Sequence, residues 1–347
     1  MRKEKKVIQI KDVLIGGNNS IKLQSMTNTK TSDIDATIKQ IKELESIGCE
    51  IIRVAITSFE DAQAIKEIKK QIKIPIVADI HFDYMLAIES IKCGADKIRI
   101  NPGNIGSNDK VKAVIDVAKE YNIPIRIGVN SGSVEPSLLV KYGGPTIDAM
   151  IESLDNHIKF FEQNNFTNIV LSIKTTNLYD TIKVNEILNN KYSYPLHVGL
   201  TEAGTITSGT IKSSFVLGTL LNNDIGDTIR VSLTGDPKNE IIVGKEILSM
   251  TNKLNKPTLI SCPTCGRTEY NMIPIANKIE EYLNTINKNI TVAVMGCVVN
   301  GPGEAKHADI GVAGGVKKAV LFKKGQIIKT INENNIVEEL IKEIEKL

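Results

Sequence analysis

Short apolar runs alternate along the first roughly 250 residues with longer segments whose apolar positions recur every three or four residues. The runs at 21–26, 50–56, 75–80, 97–101, 123–130, 168–174, 195–200 and 228–233 are rich in Ile and Val and bounded by turn residues, which predicts eight strands. Between them, spacings such as Ile34, Ile38, Ile41, Leu44 and Ile47, or Ala62, Ile65, Ile68 and Ile72, give helices with one apolar face and one rich in Lys and Glu. Eight such units match a (β/α)8 barrel in number and length; a doubly wound open sheet is the rival, because periodicity does not reveal closure. Residues 7–15 read as a short strand or hairpin arm, turned by Gly16-Gly17-Asn18-Asn19.

The rhythm breaks after Ile247-Leu248-Ser249-Met250. A polar stretch ending at Pro257 predicts a boundary, with a TIM-type barrel over 1–255 and a smaller α/β domain over 256–347. The second domain is expected to contain strands at 258–260, 290–295 and 309–312, a hairpin of 319–322 with 326–331 around Lys324-Gly325, a helix at 275–283 and a closing helix through Leu340.

Composition narrows the function classes without choosing one. At 41% hydrophobic and 24% charged residues the chain can build a sizeable core. Forty-three basic and forty acidic residues are interspersed, and there is no Trp, which argues against nucleic acid as the main partner. The charged N-terminus leads into no apolar signal segment, and no apolar run is long enough for a bilayer, so a cytoplasmic protein with no membrane partner is expected. Five cysteines, three of them clustered, suit a reducing compartment.

In a barrel of this kind chemistry gathers at the carboxyl ends of the strands, and here those ends are cationic. Arg53, Arg99 with Asn101, Arg126 with Asn130, Ser172 with Lys174, and Arg230 with Ser232 lie on or just after predicted strands. Residues i and i+2 share a face, so Arg99 with Asn101, Ser172 with Lys174, and Arg230 with Ser232 can each point inward as a pair. Several cations in one mouth repel and desolvate one another, an arrangement that makes sense if a phosphate or diphosphate is bound there. Glu202, after the seventh strand, is the candidate for proton transfer. His81 and His197 rank second, His157 reads as structural, and Cys49 and Cys93 read as small core residues.

The remaining cysteines form a separate constellation. Ser261-Cys262-Pro263-Thr264-Cys265-Gly266-Arg267 is answered by Met295-Gly296-Cys297-Val298-Val299-Asn300-Gly301-Pro302-Gly303-Glu304. Three readings are open: a structural zinc on Cys262, Cys265, Cys297 and His307, a redox dithiol on Cys262 and Cys265, or an iron-sulfur cluster with Glu304 at the fourth corner. A carboxylate there would be a weak ligand that a substrate oxygen could displace.

These two cysteine segments resemble the 4-hydroxy-3-methylbut-2-enyl diphosphate synthase family of the non-mevalonate isoprenoid pathway, in its compact two-domain bacterial form. Lys97-Ile98-Arg99-Ile100-Asn101-Pro102-Gly103-Asn104, Arg126-Ile127-Gly128-Val129-Asn130-Ser131-Gly132-Ser133 and His197-Val198-Gly199-Leu200-Thr201-Glu202-Ala203-Gly204 extend the similarity over nearly the whole chain. The resemblance implies a [4Fe-4S] cluster on Cys262, Cys265, Cys297 and Glu304, fed by flavodoxin or ferredoxin. It implies reductive ring opening and dehydration of 2-C-methyl-D-erythritol 2,4-cyclodiphosphate. It places the diphosphate on Arg53, Arg99, Arg126, Lys174, Arg230 and Ser232, assigns proton transfer to Glu202, and makes Asn300 a further ligand contact. It also implies a head-to-tail homodimer in which the cluster of one subunit caps the barrel of the other. The competing readings are a phosphate-binding barrel of the pteroate synthase kind with a structural zinc, and a zinc-stabilised interaction module without catalysis.

Overall fold

A computed structural model describes residues 3–297, 303 and 305–347. The chain divides into two compact units, Met1–Lys253 and Leu254–Leu347. Among the described residues, no helix is long and apolar enough to cross a membrane.

The first unit opens with a hairpin, β1 (Ile8–Ile10) and β2 (Val13–Ile15), paired antiparallel. Its turn falls at Lys11 and Asp12, inside the stretch expected to be one strand, with Lys11 in the left-handed region at φ 56°. Gly16-Gly17 follows the second arm instead. A side chain at Gly16 would meet the Lys6 carbonyl oxygen at 2.1 Å, so glycine is needed there for a close backbone approach rather than for the hairpin turn.

Eight parallel strands follow: β3 (Lys22–Met26), β4 (Ile51–Ile56), β5 (Ile76–Ile80), β6 (Lys97–Ile100), β7 (Ile125–Asn130), β8 (Ile169–Lys174), β9 (His197–Val198) and β10 (Thr228–Ile229). Their order, β8-β7-β6-β5-β4-β3-β10-β9, brings the last neighbour back to the first. A parallel bridge between Leu171 and Leu196 joins the two ends, with the Leu171 amide donating to the Pro195 carbonyl at 2.9 Å. The sheet is therefore a barrel, and the open-sheet alternative falls.

β9 and β10 are shorter than their apolar runs. Just beyond them, a Cβ on Gly199 would lie 2.5 Å from the Arg230 carbonyl oxygen and 2.9 Å from Lys174 Nζ. The two backbones converge at that point; beyond the strands the Arg230 amide donates to the Val198 carbonyl at 3.1 Å and the Thr234 amide to the Gly204 carbonyl at 2.9 Å.

Local chemistry starts the intervening helices where the pattern requires. Asp33, Ser58, Asp83, Thr146, Asn177 and Asp236 each accept a backbone amide of the first helical turn. The amino ends of the strands are sealed: Ile8, Ile10 and Ile15 of the hairpin pack with Ile51, Val77 and Val170 from inside the barrel. That plug leaves the carboxyl ends as the open side of the barrel.

The second unit is a five-stranded sheet in sequence order: β11 (Thr258–Ser261), β12 (Thr291–Met295), β13 (Ile310–Gly315), β14 (Lys318–Lys323) and β15 (Gln326–Asn332). The first three strands run parallel and the last two form an antiparallel hairpin. Helices Met272–Leu283 and Ile336–Glu345 cover one face, burying Ile279, Leu283, Leu340 and Ile344 against Val292, Val294, Ile310 and Leu321. The first of these helices begins three residues earlier than its apolar spacing suggests, because Met272 is itself a core residue.

Candidate active site

Strand alternation aims one set of side chains into the barrel mouth. Met26, Arg53, Asp79, Arg99, Arg126, Asn130, Ser172, Lys174, Arg230 and Ser232 come from seven strands or their ends and line one cavity of about 210 Å³. Eight of the substrate-binding residues expected from the sequence are in this wall, and so is His81.

Asn101 is not. Its side-chain carbonyl accepts the Gly103 amide at 3.2 Å and caps the short helix Pro102–Ile105, so it shapes the loop beside the mouth. Glu202 is exposed, next to the lining residues Leu200 and Thr201, and its backbone is left-handed at φ 53°. That conformation is uncommon for a non-glycine residue and turns the chain sharply at the rim.

The cations are poorly compensated. Arg99, Arg126 and Lys174 are buried, and five cations share the wall with one carboxylate, Asp79. Asp79 is also buried; Arg99 Nη1 lies 3.1 Å from it, His81 Nε2 3.4 Å and Arg53 Nε 3.6 Å. Burial alone would raise its pKa, but Arg53, His81 and Arg99 outweigh burial and hold Asp79 well below the usual carboxylate range.

Arg230 is steadied from outside the wall. Its Nη2 lies 3.4 Å from Glu240 Oε1, while Glu240 Oε2 accepts from the Ser25 hydroxyl at 2.8 Å. Lys174 Nζ contacts only an imidazole in this way, His197 Nε2 at 3.2 Å, and His197 Nδ1 pairs with the Thr228 hydroxyl at 2.7 Å. Burial, then Arg126 and Arg230, push Lys174 well below its ordinary value. Burial likewise lowers Arg53 to about 10 despite the opposing pull of Asp79. Arg126 Nε and Nη1, Arg99 Nε and Arg230 Nε are buried without a hydrogen-bond partner among the described residues. Preassembled donors left unpaired in a concave site favour a multiply charged anion with several oxygens.

Sequence reasoning gave Asp79 and His81 too little weight and missed Met26, whose Sδ accepts from Arg53 Nη2 at 2.9 Å. The signal for Asp79 was available in alternation: it precedes His81 by two positions, at the end of a strand facing β6.

The thiols occupy the carboxyl end of the second unit's sheet. β11 and β12 are adjacent and parallel with Ser261 beside Val294, so Cys262 and Cys297 leave the same end of neighbouring strands. The Cys262 amide donates to the Val294 carbonyl at 3.0 Å, the Glu269 amide to the Gly296 carbonyl at 3.2 Å, and the Tyr270 hydroxyl to the Met295 carbonyl at 3.0 Å. These bonds lace the C-x-x-C loop to the segment carrying the third cysteine. All three thiols are free: Cys297 is buried, Cys262 partly buried and Cys265 exposed. Arg267 feels all three, its pKa raised by a hydrogen bond to Cys265 and then by the charges of Cys265, Cys297 and Cys262.

Glu304 and Asn300 lie outside the described residues. Among the described residues, no three His, Cys, Asp or Glu side chains converge on one metal-ion position. Three thiols at one sheet end, one buried, one partly buried and one exposed, are a soft donor set that fits an iron-sulfur cluster in its chemistry.

Comparison with known proteins adds a decisive match. The model of the GcpE TIM-barrel domain matches residues 5–245, and that of the GcpE protein C-terminal domain matches residues 258–346. The chain belongs to the GcpE family. A member from Ruminiclostridium cellulolyticum, 4-hydroxy-3-methylbut-2-en-1-yl diphosphate synthase (flavodoxin), is 58% identical over 347 residues, covering 100% of this chain and 98% of its own. Beyond the GcpE family the likeness is one of fold alone. The N-acetylneuraminic acid synthetase of Leptospira borgpetersenii serovar Hardjo-bovis superposes with a TM-score of 0.52 at 12% identity, over 81% of this chain and 98% of its own. The dihydropteroate synthase of Yersinia pestis does so at 0.50 and 12% identity, over 71% and 97%.

Proposed function

We propose that this chain is a 4-hydroxy-3-methylbut-2-en-1-yl diphosphate synthase, an oxidoreductase of non-mevalonate isoprenoid biosynthesis that draws electrons from flavodoxin, as its relatives are named. Its substrate on this reading is 2-C-methyl-D-erythritol 2,4-cyclodiphosphate. The observation that carries the reading is the excess of buried cations over carboxylates in one barrel cavity. A diphosphate supplies the missing negative charge and enough oxygens for the unpaired guanidinium donors.

The reaction takes in a pair of electrons and a proton. The bond between a ring carbon and a diphosphate oxygen breaks, a neighbouring hydroxyl leaves as water, and a carbon–carbon double bond forms. Arg53, Arg99, Arg126, Lys174 and Arg230, with Asn130, Ser172 and Ser232, hold the diphosphate so that its departing oxygen is stabilised as charge develops. Asp79 fixes Arg53, Arg99 and His81 in place. Glu202, at the rim, moves the proton, and Asn101 positions the adjoining loop. Cys262, Cys265, Cys297 and Glu304 would hold the [4Fe-4S] cluster, which when bound supplies the electrons, with Asn300 contacting ligand beside it. The two sites belong to different units of the chain, and a head-to-tail homodimer in the cytoplasm accounts for their cooperation.

Anaerobic purification tests the cofactor. The reading predicts a brown protein with broad visible charge-transfer absorption and matching iron and sulfide; a colourless protein carrying one stoichiometric zinc would contradict it.

A further inference from the structure

One interior cation lies below the cavity wall. Lys97 begins β6 two residues before Arg99, so alternation puts both on the interior face. Lys97 is fully buried, and its Nζ has no hydrogen-bond partner among the described residues. Across the β5–β6 ladder its neighbour is Val77, a member of the apolar plug.

The charged groups facing Lys97 offer no relief. Arg126 on β7 and Arg53 on β4 both oppose its charge, added to the cost of burial. His197 on β9 is itself held well below its ordinary value, by burial first and then by Arg126, Lys174 and Lys97, so it stays a neutral imidazole and supplies no counter-charge. The interior carboxylate, Asp79 on β5, is engaged by Arg99, His81 and Arg53. Lys174 on β8 is directed to His197. An ammonium buried among cations and hydrocarbon is costly in a way that a neutral amine is not.

We propose that Lys97 is a proton-linked counter-charge at the barrel floor: neutral in the free protein, it takes one proton from solvent when a diphosphate binds above it. The proposal rests on the reading that the cavity takes a diphosphate. The bound anion offsets the field of Arg53 and Arg126 and makes the charged form of Lys97 favourable. One N–H bond forms, and no electron moves. Lys97 touches no reacting atom, and its role is to tune how firmly the floor of the site holds negative charge. By linkage, uptake on binding means that affinity falls as pH rises through the value Lys97 has in the free protein.

Calorimetric titration of inorganic pyrophosphate into the full-length protein, at one pH in two buffers of unequal ionisation heat, counts the protons taken up. The wild type is expected to take up about one more proton per site than Lys97→Met, and its affinity to fall up to about tenfold more per unit rise in pH. Lys97→Arg, permanently charged, is also expected to lose that proton and provides the comparison if the Met variant does not fold. Pyrophosphate's own ionisation is common to all three proteins and cancels in the difference. Equal uptake by the wild type and the folded variants would overturn the proposal while leaving the diphosphate reading standing. Absence of pyrophosphate binding to the wild type would overturn the diphosphate reading, and this proposal with it.

Discussion

The cationic residues of the mouth are individually unremarkable, and their meaning comes from what they lack. An exposed arginine paired with a carboxylate contributes little, whereas buried guanidinium nitrogens without partners hold a desolvation cost that a ligand can recover. Arg126, the largest of the fully buried side chains, shows this most clearly: it lines the cavity with two nitrogens unpaired. Strand alternation made Arg53, Arg99, Arg126, Lys174 and Arg230 legible in the sequence. It could not separate Asn101, which caps a helix, from Asn130, which lines the cavity, because both stand at the carboxyl end of a strand and precede a helical turn. Glu202 stands apart from the cations, at the rim and in a left-handed turn. A group that moves a proton there should affect turnover far more than binding. Glu202→Gln is expected to leave the substrate dissociation constant within a few-fold of wild type and to lower kcat by about 10²–10⁴. Unchanged kcat would remove Glu202 from proton transfer.

At the scale of elements, the chain builds its two sites by the same device. Parallel strands end together, so residues just past their carboxyl ends meet whatever their distance in sequence. β11 and β12 bring Cys262 and Cys297 to one sheet end in the way that the barrel strands gather the cations. The apolar runs announced nearly all of these strands. They did not announce the hairpin turn at Lys11 and Asp12, which has no glycine, or the early end of β9 and β10 where Gly199 lets two backbones converge.

Nor did they reveal the support beneath the thiol loop. Tyr270 crosses under it to the Met295 carbonyl, against Gly314 of β13, where an added Cβ would come within 1.9 Å of the ring. Gly314→Ala should therefore displace Tyr270 at a cost of about 1–3 kcal/mol. The expected readouts are a lower melting temperature and less iron retained after anaerobic reconstitution, with pyrophosphate affinity unchanged. Full iron retention would show that Tyr270 does not organise the loop.

At the scale of the whole molecule, the three clustered thiols and the cationic barrel mouth belong to separate compact units. A head-to-tail dimer predicts complementation between two inactive proteins, one with Arg126→Met in the barrel and one with Cys297→Ser in the second unit. Subunit exchange should restore about a quarter of wild-type activity, since half of the dimers are mixed and each mixed dimer keeps one intact pair of sites. No recovery from verified mixed dimers would mean that each chain serves its own barrel. The family match extends across both units, from residue 5 to 245 and from 258 to 346, so neither site is an isolated motif. The proposed function is tested by anaerobic turnover of the reconstituted protein with reduced flavodoxin and the cyclodiphosphate, followed by phosphorus NMR. The cyclic diphosphate signals are expected to give way to those of 4-hydroxy-3-methylbut-2-en-1-yl diphosphate, with one electron pair consumed per product; unchanged substrate beside an intact cluster would contradict the proposed function.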